Sequence, residues 1–222
     1  MEIIYFYLPH LSTFEDNIDF SPVIHLTGIG DNPMNILAFA ATSSTKSINK
    51  HLVTYAAHLF AKEVKEATIE ILDINDYELP LFSEDREAQL GQPELAKEFL
   101  DKIAHSDAVM ISFAEHNGSY TVAYKNIFDW ASRIHQKVFQ HMPMVLLATS
   151  PGPGGGRNVL ATATASAPHF DGVVKASLSV PSFYDNFDVE QGRITDADIN
   201  EQLLSAVKRL VEDDTSEPKQ VA

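Results

Sequence analysis

The stretch AVMISFAEHNGSYTVAYKNIFDW, Ala108 to Trp130, decides how this chain is read. Residues 108–113 are an apolar run of the length and composition of a strand buried on both faces. Residues 115–119 form a polar loop, Glu115-His-Asn-Gly-Ser119, in which Asn117-Gly118 is a turn dipeptide. Ala123, Ile127, Ala131 and Ile134 then recur at helical spacing. Strand, loop and helix in that order predict a unit of a parallel sheet, where ligands gather at the carboxyl ends of the strands. The loop offers backbone N–H groups, an amide and hydroxyls, but no nucleophile with its own base. It suits holding a flat polar molecule better than attacking one.

The same alternation continues on both sides. Further strands are expected at residues 35–40, 67–74, 144–148 and 172–180. Leu52, Val53, Ala56, Ala57, Phe60 and Val64 predict a helix after the first strand. Leu95, Phe99 and Ile103 predict another behind Pro93, a residue tolerated in a first helical turn. An Ala- and Thr-rich helix runs to Ala167, and a last helix carries Ile199, Leu203 and Val207 behind the start signal Thr195-Asp-Ala-Asp198. Residues 75–91 read as one long loop. Five strands alternating with five helices predict an α/β three-layer sandwich, with a parallel sheet of flavodoxin-like order 2-1-3-4-5.

Composition narrows the function. A chain of 222 residues with 45% hydrophobic content buries a real core and is expected to form one domain. A formal net charge of -15 argues against nucleic acid as a partner. The absence of cysteine removes thiolate nucleophiles, Cys-ligated zinc and iron–sulfur clusters, so redox chemistry requires a bound cofactor. The nine histidines show no tight ligand spacing, and no metal site is expected. No apolar run approaches the roughly 20 residues of a membrane helix, and no secretory leader is seen, which points to the cytoplasm. Residues 1–33 lack sustained periodicity and read as an extension, or as sequence upstream of a start at Met34. The domain is expected over residues 34–212, with a frayed tail over 213–222.

In the order 2-1-3-4-5, strands 1, 3 and 4 are neighbours, so their carboxyl-end loops share one edge. The first loop holds Thr42, Ser43, Ser44, Thr45 and Ser47 ahead of a helix start at Ile48 and Asn49. Such a loop suits a phosphate, which the helix dipole and free N–H groups favour. Capping alone needs fewer hydroxyls. The third-strand loop carries Glu115, His116, Asn117, Gly118 and Ser119; His116 has no paired acid to make it a base. The fourth loop, Ser150-Pro-Gly152 and the glycines to Gly156, lets backbone approach a ligand or is a mobile surface loop. Phe128 and Trp130 read as core or subunit contact.

These residues resemble the NAD(P)H-dependent FMN reductase family, which includes quinone, chromate and azo-dye reductases. Its first loop resembles G-S-x-R-x-x-S-x-N; here Thr42, Ser47 and Asn49 match, Ser44 stands in place of Arg, and Lys46 lies nearby. Its second motif, P-E-Y-N-G-S followed by L-K-N-x-x-D-W, is matched by Ala114-Glu-His-Asn-Gly-Ser119 and Tyr124-Lys-Asn-Ile-Phe-Asp-Trp130, with His116 in place of Tyr. Its third loop, S-P-G-x-x-G-G, is similar to Ser150-Pro-Gly-Pro-Gly-Gly-Gly156, and Asp76-Tyr-Glu-Leu-Pro-Leu-Phe82 resembles its second-strand loop. The resemblance implies FMN as cofactor, its phosphate on the first loop and its ring on the other two. It further implies NADPH or NADH as hydride donor, a quinone or free flavin as small acceptor, and a homodimer or homotetramer. Flavodoxin-type electron carriage, or a flavin-less binding module, are the alternatives.

Overall fold

The computed structural model describes residues 33–212. The expected N-terminal extension upstream of Met34 and the expected tail beyond residue 212 lie outside the described residues. Strands β1 (Asn35–Ala41), β2 (Thr68–Leu72), β3 (Ala108–Phe113), β4 (Pro143–Thr149) and β5 (Val173–Val180) form one parallel sheet in the order β2-β1-β3-β4-β5. This is the expected order. Burial agrees with it: every residue of the central strand β3 is buried, as expected of a strand with helices over both faces.

The helices in chain order are α1 (Ile48–Glu63), α2 (Glu84–Leu90), α3 (Glu94–Ala104), α4 (Val122–Ile134), α5 (Arg157–Ser166), α6 (Phe183–Asn186) and α7 (Ala197–Lys208). Alternation along β1 sorts the core into two halves. Leu37 and Phe39 face α3, α4 and α5, together with Ile111, Phe113 and Leu146. Ile36 and Ala38 face α1 and α7, together with Met110, Val145 and Leu147. Asp196 accepts from the Ile199 N–H and starts α7 where the Thr195–Asp198 signal places it.

Residues 75–91 are not one long loop. They hold a 3-10 turn, Ile74–Tyr77, and the helix α2, capped by Ser83 and closed at Gly91 with φ +70°. Apolar periodicity misses α2 because none of its side chains is buried. Residues 183–194, for which periodicity marks no element, hold α6 and a two-stranded antiparallel ribbon of β6 (Phe187–Asp188) and β7 (Arg193–Ile194).

Candidate functional site

The carboxyl ends of β1, β3 and β4 stand side by side, so the three loops that follow share one edge of the sheet. Three hydrogen-bonded knots fix them to one another. In the first, Asn49 is 2% exposed and points into the sheet. Its amide oxygen accepts from the Ser112 hydroxyl at 2.8 Å and from the Thr149 N–H at 3.0 Å, and its amide nitrogen donates to the Thr149 carbonyl at 3.2 Å. The start of α1 is thereby fastened to the ends of β3 and β4. In the second, the buried Thr121 hydroxyl donates to the Ala41 carbonyl at 2.9 Å and accepts from the Tyr124 N–H, joining the N-cap of α4 to the end of β1. In the third, the Glu115 carboxylate accepts from the N–H groups of Asn158 and Val159, each at 3.0 Å, and from the Asn158 side chain. That knot links the β3 loop to the start of α5.

The loop after β1 is open by contrast. Thr42 and Ser47 are buried, whereas Ser43, Ser44, Thr45 and Lys46 are exposed. Thr42 Oγ1 accepts from the Ser44 N–H, and Ser47 Oγ accepts from the Lys50 N–H as the N-cap. A helix start leaves four N–H groups without intrahelical partners. Lys50 and His51 donate to Ser47, so the N–H groups of Ile48 and Asn49 remain for a ligand, with the positive end of the helix dipole behind them. No acidic residue sits in the first turn of α1. Lys46 makes no ion pair with any described residue. A dianion at this helix end meets donors, a dipole and a free cation.

The loop after β3 is a tight reversal. His116 and Ser119 exchange both backbone hydrogen bonds, at 3.0 and 3.1 Å. Asn117 and Gly118 between them have φ +52° and +75°, the backbone sense that makes Asn-Gly a favoured two-residue turn. All four residues are exposed. The turn reading of Asn-Gly and the ligand reading of the loop are therefore compatible: the turn shapes the surface, and a Cβ built on Gly118 meets nothing within 4 Å.

The glycines of the third loop divide into two kinds. Gly155 and Gly156 are buried, with φ +58° and +74°. A Cβ on Gly155 lies 2.3 Å from Ser179 Oγ, and one on Gly156 lies 3.0 Å from Ala148 Cβ. These two glycines let the loop pack on the ends of β4 and β5. Gly152 differs: a Cβ there meets nothing within 4 Å. The chain after β5 holds this part of the loop in place, since the Ser182 N–H donates to the Gly152 carbonyl and the Phe183 N–H to the Ser150 carbonyl.

The structure thus brings every one of the twelve candidate residues to one edge, but with different tasks. Thr42, Ser44, His116, Asn117, Gly118, Ser119, Ser150 and Gly152 lie on the loops themselves, and Ile48 is the first residue of α1. The side chains of Asn49 and Glu115 are taken up by the protein, Ser150 Oγ donates to the Gly152 carbonyl, and the hydroxyls of Thr42 and Ser47 accept one backbone N–H each and keep a proton to donate. Sequence reasoning missed Thr121, Asn158 and Ser182. Only Thr121 carried a local signal, a hydroxyl residue just before a helical run. The motif residues Asn126 and Trp130 hold the second-strand loop instead of the edge: Asn126 accepts from the Phe82 N–H and donates to the Leu79 carbonyl, and Trp130 Nε1 donates to the Pro80 carbonyl at 2.7 Å. Trp130 is fully buried core.

The chain matches the family described as NADPH-dependent FMN reductase over residues 34–185. It is 30% identical over 125 residues to the NADPH:quinone oxidoreductase of Arabidopsis thaliana, covering 56% of this chain and 62% of that protein. It is 39% identical over 89 residues to a quinone reductase of Pseudomonas putida, covering 40% of this chain and 46% of that protein. The matches therefore span less than two thirds of the length of these two relatives. Among solved structures, the flavoenzyme NAD(P)H:(acceptor) oxidoreductase FerB of Paracoccus denitrificans superposes with a TM-score of 0.62 at 26% identity, covering 80% of this chain and 95% of that one. With the five-stranded order, the three coupled loops and a family match over most of its length, this chain belongs to the NADPH-dependent FMN reductase family.

Proposed function

We propose that the protein is an NAD(P)H-dependent oxidoreductase that holds FMN noncovalently on the three loops and reduces a quinone, a free flavin or a similar small acceptor. The observation that carries this reading is the open start of α1. Hydroxyl residues, the N–H groups of Ile48 and Asn49 and the exposed Lys46 lie together at this helix start, and no carboxylate of a described residue is hydrogen-bonded to those N–H groups. These donors fit the phosphate of FMN. Gly118 and Gly152 fit its ring, because neither position has an atom within 4 Å of a built Cβ and a flat group can approach the backbone.

When bound, FMN supplies acceptance of hydride from the nicotinamide and its delivery to the acceptor; the protein supplies position and electrostatics. The residues on this edge act accordingly. The start of α1 binds and orients the phosphate. The Asn117-Gly118 turn and the Ser150–Gly152 segment would hold the ring through their open backbone. Asn49, Thr121 and Glu115 keep the three loops in register. Homologues named as quinone reductases support a small-molecule acceptor of the quinone type. The resemblance further supports a homodimer or homotetramer, which sedimentation of the native protein tests.

The test is the visible spectrum of the purified protein with added FMN, followed by anaerobic NADPH and NADH. Flavin absorbance that bleaches with a pyridine nucleotide supports the proposal and names the preferred donor. Bound flavin that stays oxidised with both donors points to a one-electron carrier instead. No binding of FMN overturns the cofactor assignment and leaves a flavin-less binding module.

A further inference from the structure

The start of α5 carries a charge that the fold does not explain. Arg157 is its first residue, where a cation opposes the positive end of the helix dipole. The other long helices begin with Ile48, Glu94, Val122 and Ala197. Among the described residues the remaining arginines are engaged: Arg86 with the Leu81 carbonyl, Arg133 with Glu87, Arg193 with Gln191 and Arg209 with Glu212. The Arg157 side chain is exposed and has neither a hydrogen bond nor an ion pair with any described residue. A charge placed against the local rule, with no packing or pairing in return, is the mark of a functional position.

The backbone beside it has nothing left to offer a ligand. Glu115 takes the N–H groups of Asn158 and Val159. The Arg157 N–H donates to the Gly154 carbonyl and the Leu160 N–H to the Gly156 carbonyl, each at 3.1 Å. With the first turn saturated, the guanidinium is what α5 presents to the loop edge. It lies over the Gly-rich loop: a Cβ built on Gly154 has Arg157 Nε and Nη2 at 3.9 Å and nothing else within 4 Å. The same loop carries the open Gly152. The net charge of -15 repels anions in general, and the reaction uses a polyanion. NADH and NADPH each bring a pyrophosphate, and NADPH adds a 2′-phosphate. A guanidinium pairs its planar fork with two oxygens of one phosphate group. Lys46, the other cation of this edge without an ion pair to a described residue, stands at the start of α1, where the phosphate of FMN is proposed to sit.

We propose that Arg157 takes a phosphate of the pyridine nucleotide donor. This rests on the reading of the loop edge as the place where the donor meets the flavin. The test is calorimetric titration of the full-length protein with NADP⁺ and with NAD⁺, which bind without turnover, in the presence and absence of FMN. It uses the wild type, Arg157→Gln and Arg157→Glu. Arg157→Gln is expected to weaken NADP⁺ about tenfold or more, the scale of a hydrogen bond to a charged group, and Arg157→Glu further. A loss confined to NADP⁺ supports the proposal and assigns the guanidinium to the 2′-phosphate; an equal loss for NAD⁺ supports it and assigns the pyrophosphate. Melting separates this role from a structural one. Taking a cation away from the helix start is expected to leave the melting temperature unchanged or raise it, more for Arg157→Glu than for Arg157→Gln. Affinity that both variants retain, no binding of either nucleotide to the wild type, or a melting temperature that falls in both variants overturns the proposal. Titration of the wild type with FMN alone reports separately on the flavin: no FMN binding, with NADP⁺ affinity still lost in the Arg157 variants, overturns the cofactor assignment and supports Arg157 as a nucleotide-binding residue.

Discussion

Two helices begin at the same edge of the sheet, and they begin differently. Both α1 and α5 follow a strand and a loop, and neither has an acidic residue in its first turn. At α5 the protein supplies its own anion: the Glu115 carboxylate takes the N–H groups of Asn158 and Val159. At α1 no described carboxylate does so, and exposed hydroxyls and Lys46 surround the opening. The electrostatic attraction of a helix start is the same in both cases. What separates a binding site from a structural joint is whether a carboxylate of the chain already occupies it. The Gly-rich loop leads to the occupied start. The Ser- and Thr-rich loop leads to the free one.

The comparison can be broken most forcefully at Asn49. Asn49→Leu removes the bonds that hold the open helix start against β3 and β4 and strands buried partners. Chemical denaturation is expected to show a loss of about 3 kcal/mol or more. A loss under about 1 kcal/mol would mean that α1 is positioned by packing alone.

The Gly-rich loop provides the next test. Gly155→Ala forces a Cβ to 2.3 Å from Ser179 Oγ and 3.1 Å from the Pro181 nitrogen at φ +58°. It is expected to destabilise by about 2 kcal/mol or more, from the left-handed backbone and the overlap together. Gly152→Ala has open space and is expected to leave stability within about 0.5 kcal/mol of wild type. Equal losses in melting experiments on the two variants would erase the distinction between packed and open glycines.

Glu115→Ala tests the difference between the two helix starts directly. Removing the carboxylate is expected to cost about 1 kcal/mol, the scale of a charge at a helix N-terminus. It also frees a second anion position, so inorganic phosphate is expected to raise the melting temperature of the variant more than that of the wild type. An identical phosphate response in both would show that the α5 start has no anion affinity of its own.

The smallest effect concerns the brace beside α1. Lys50, in its first turn, pairs with Asp73 at 2.6 Å at the end of β2. The hydrogen bond from Lys50, followed by that from the Asn75 N–H, holds the Asp73 carboxyl below its ordinary value of 3.8. A depressed folded-state pKa gives stability that is present above the unfolded value and is lost as pH falls through the folded one. Asp73→Asn is therefore expected to lose a few tenths of a kcal/mol at pH 7, as exposed pairs do, and nothing at pH values below both. A deficit that persists at low pH would assign the effect to the Asn75 cap geometry and not to charge.

Much of this was legible in the chain. The five strands and the helices that bury a face could be read because apolar spacing reports burial residue by residue. Neighbouring loops could be read because the strand order follows from right-handed crossovers. The short helix α2 escaped that reading because it buries nothing, and only Ser83 and Gly91 marked its ends. The ribbon at β6 and β7 escaped because strands of two residues have no period to detect.

What the sequence alone determined is the sandwich, its strand order and the identity of the three loops at one edge, since each depends on patterns local to the chain. What tertiary structure decided is the allocation of work among those loops. Asn49 meets Thr149 across 100 positions of sequence, Glu115 meets Val159 across 44, and Tyr120 meets Ser166 across 46. No local spacing records such meetings. A carboxylate and an amide look the same in sequence whether they face a ligand or a neighbouring helix, and only the packed fold shows which hydrogen bonds are already made.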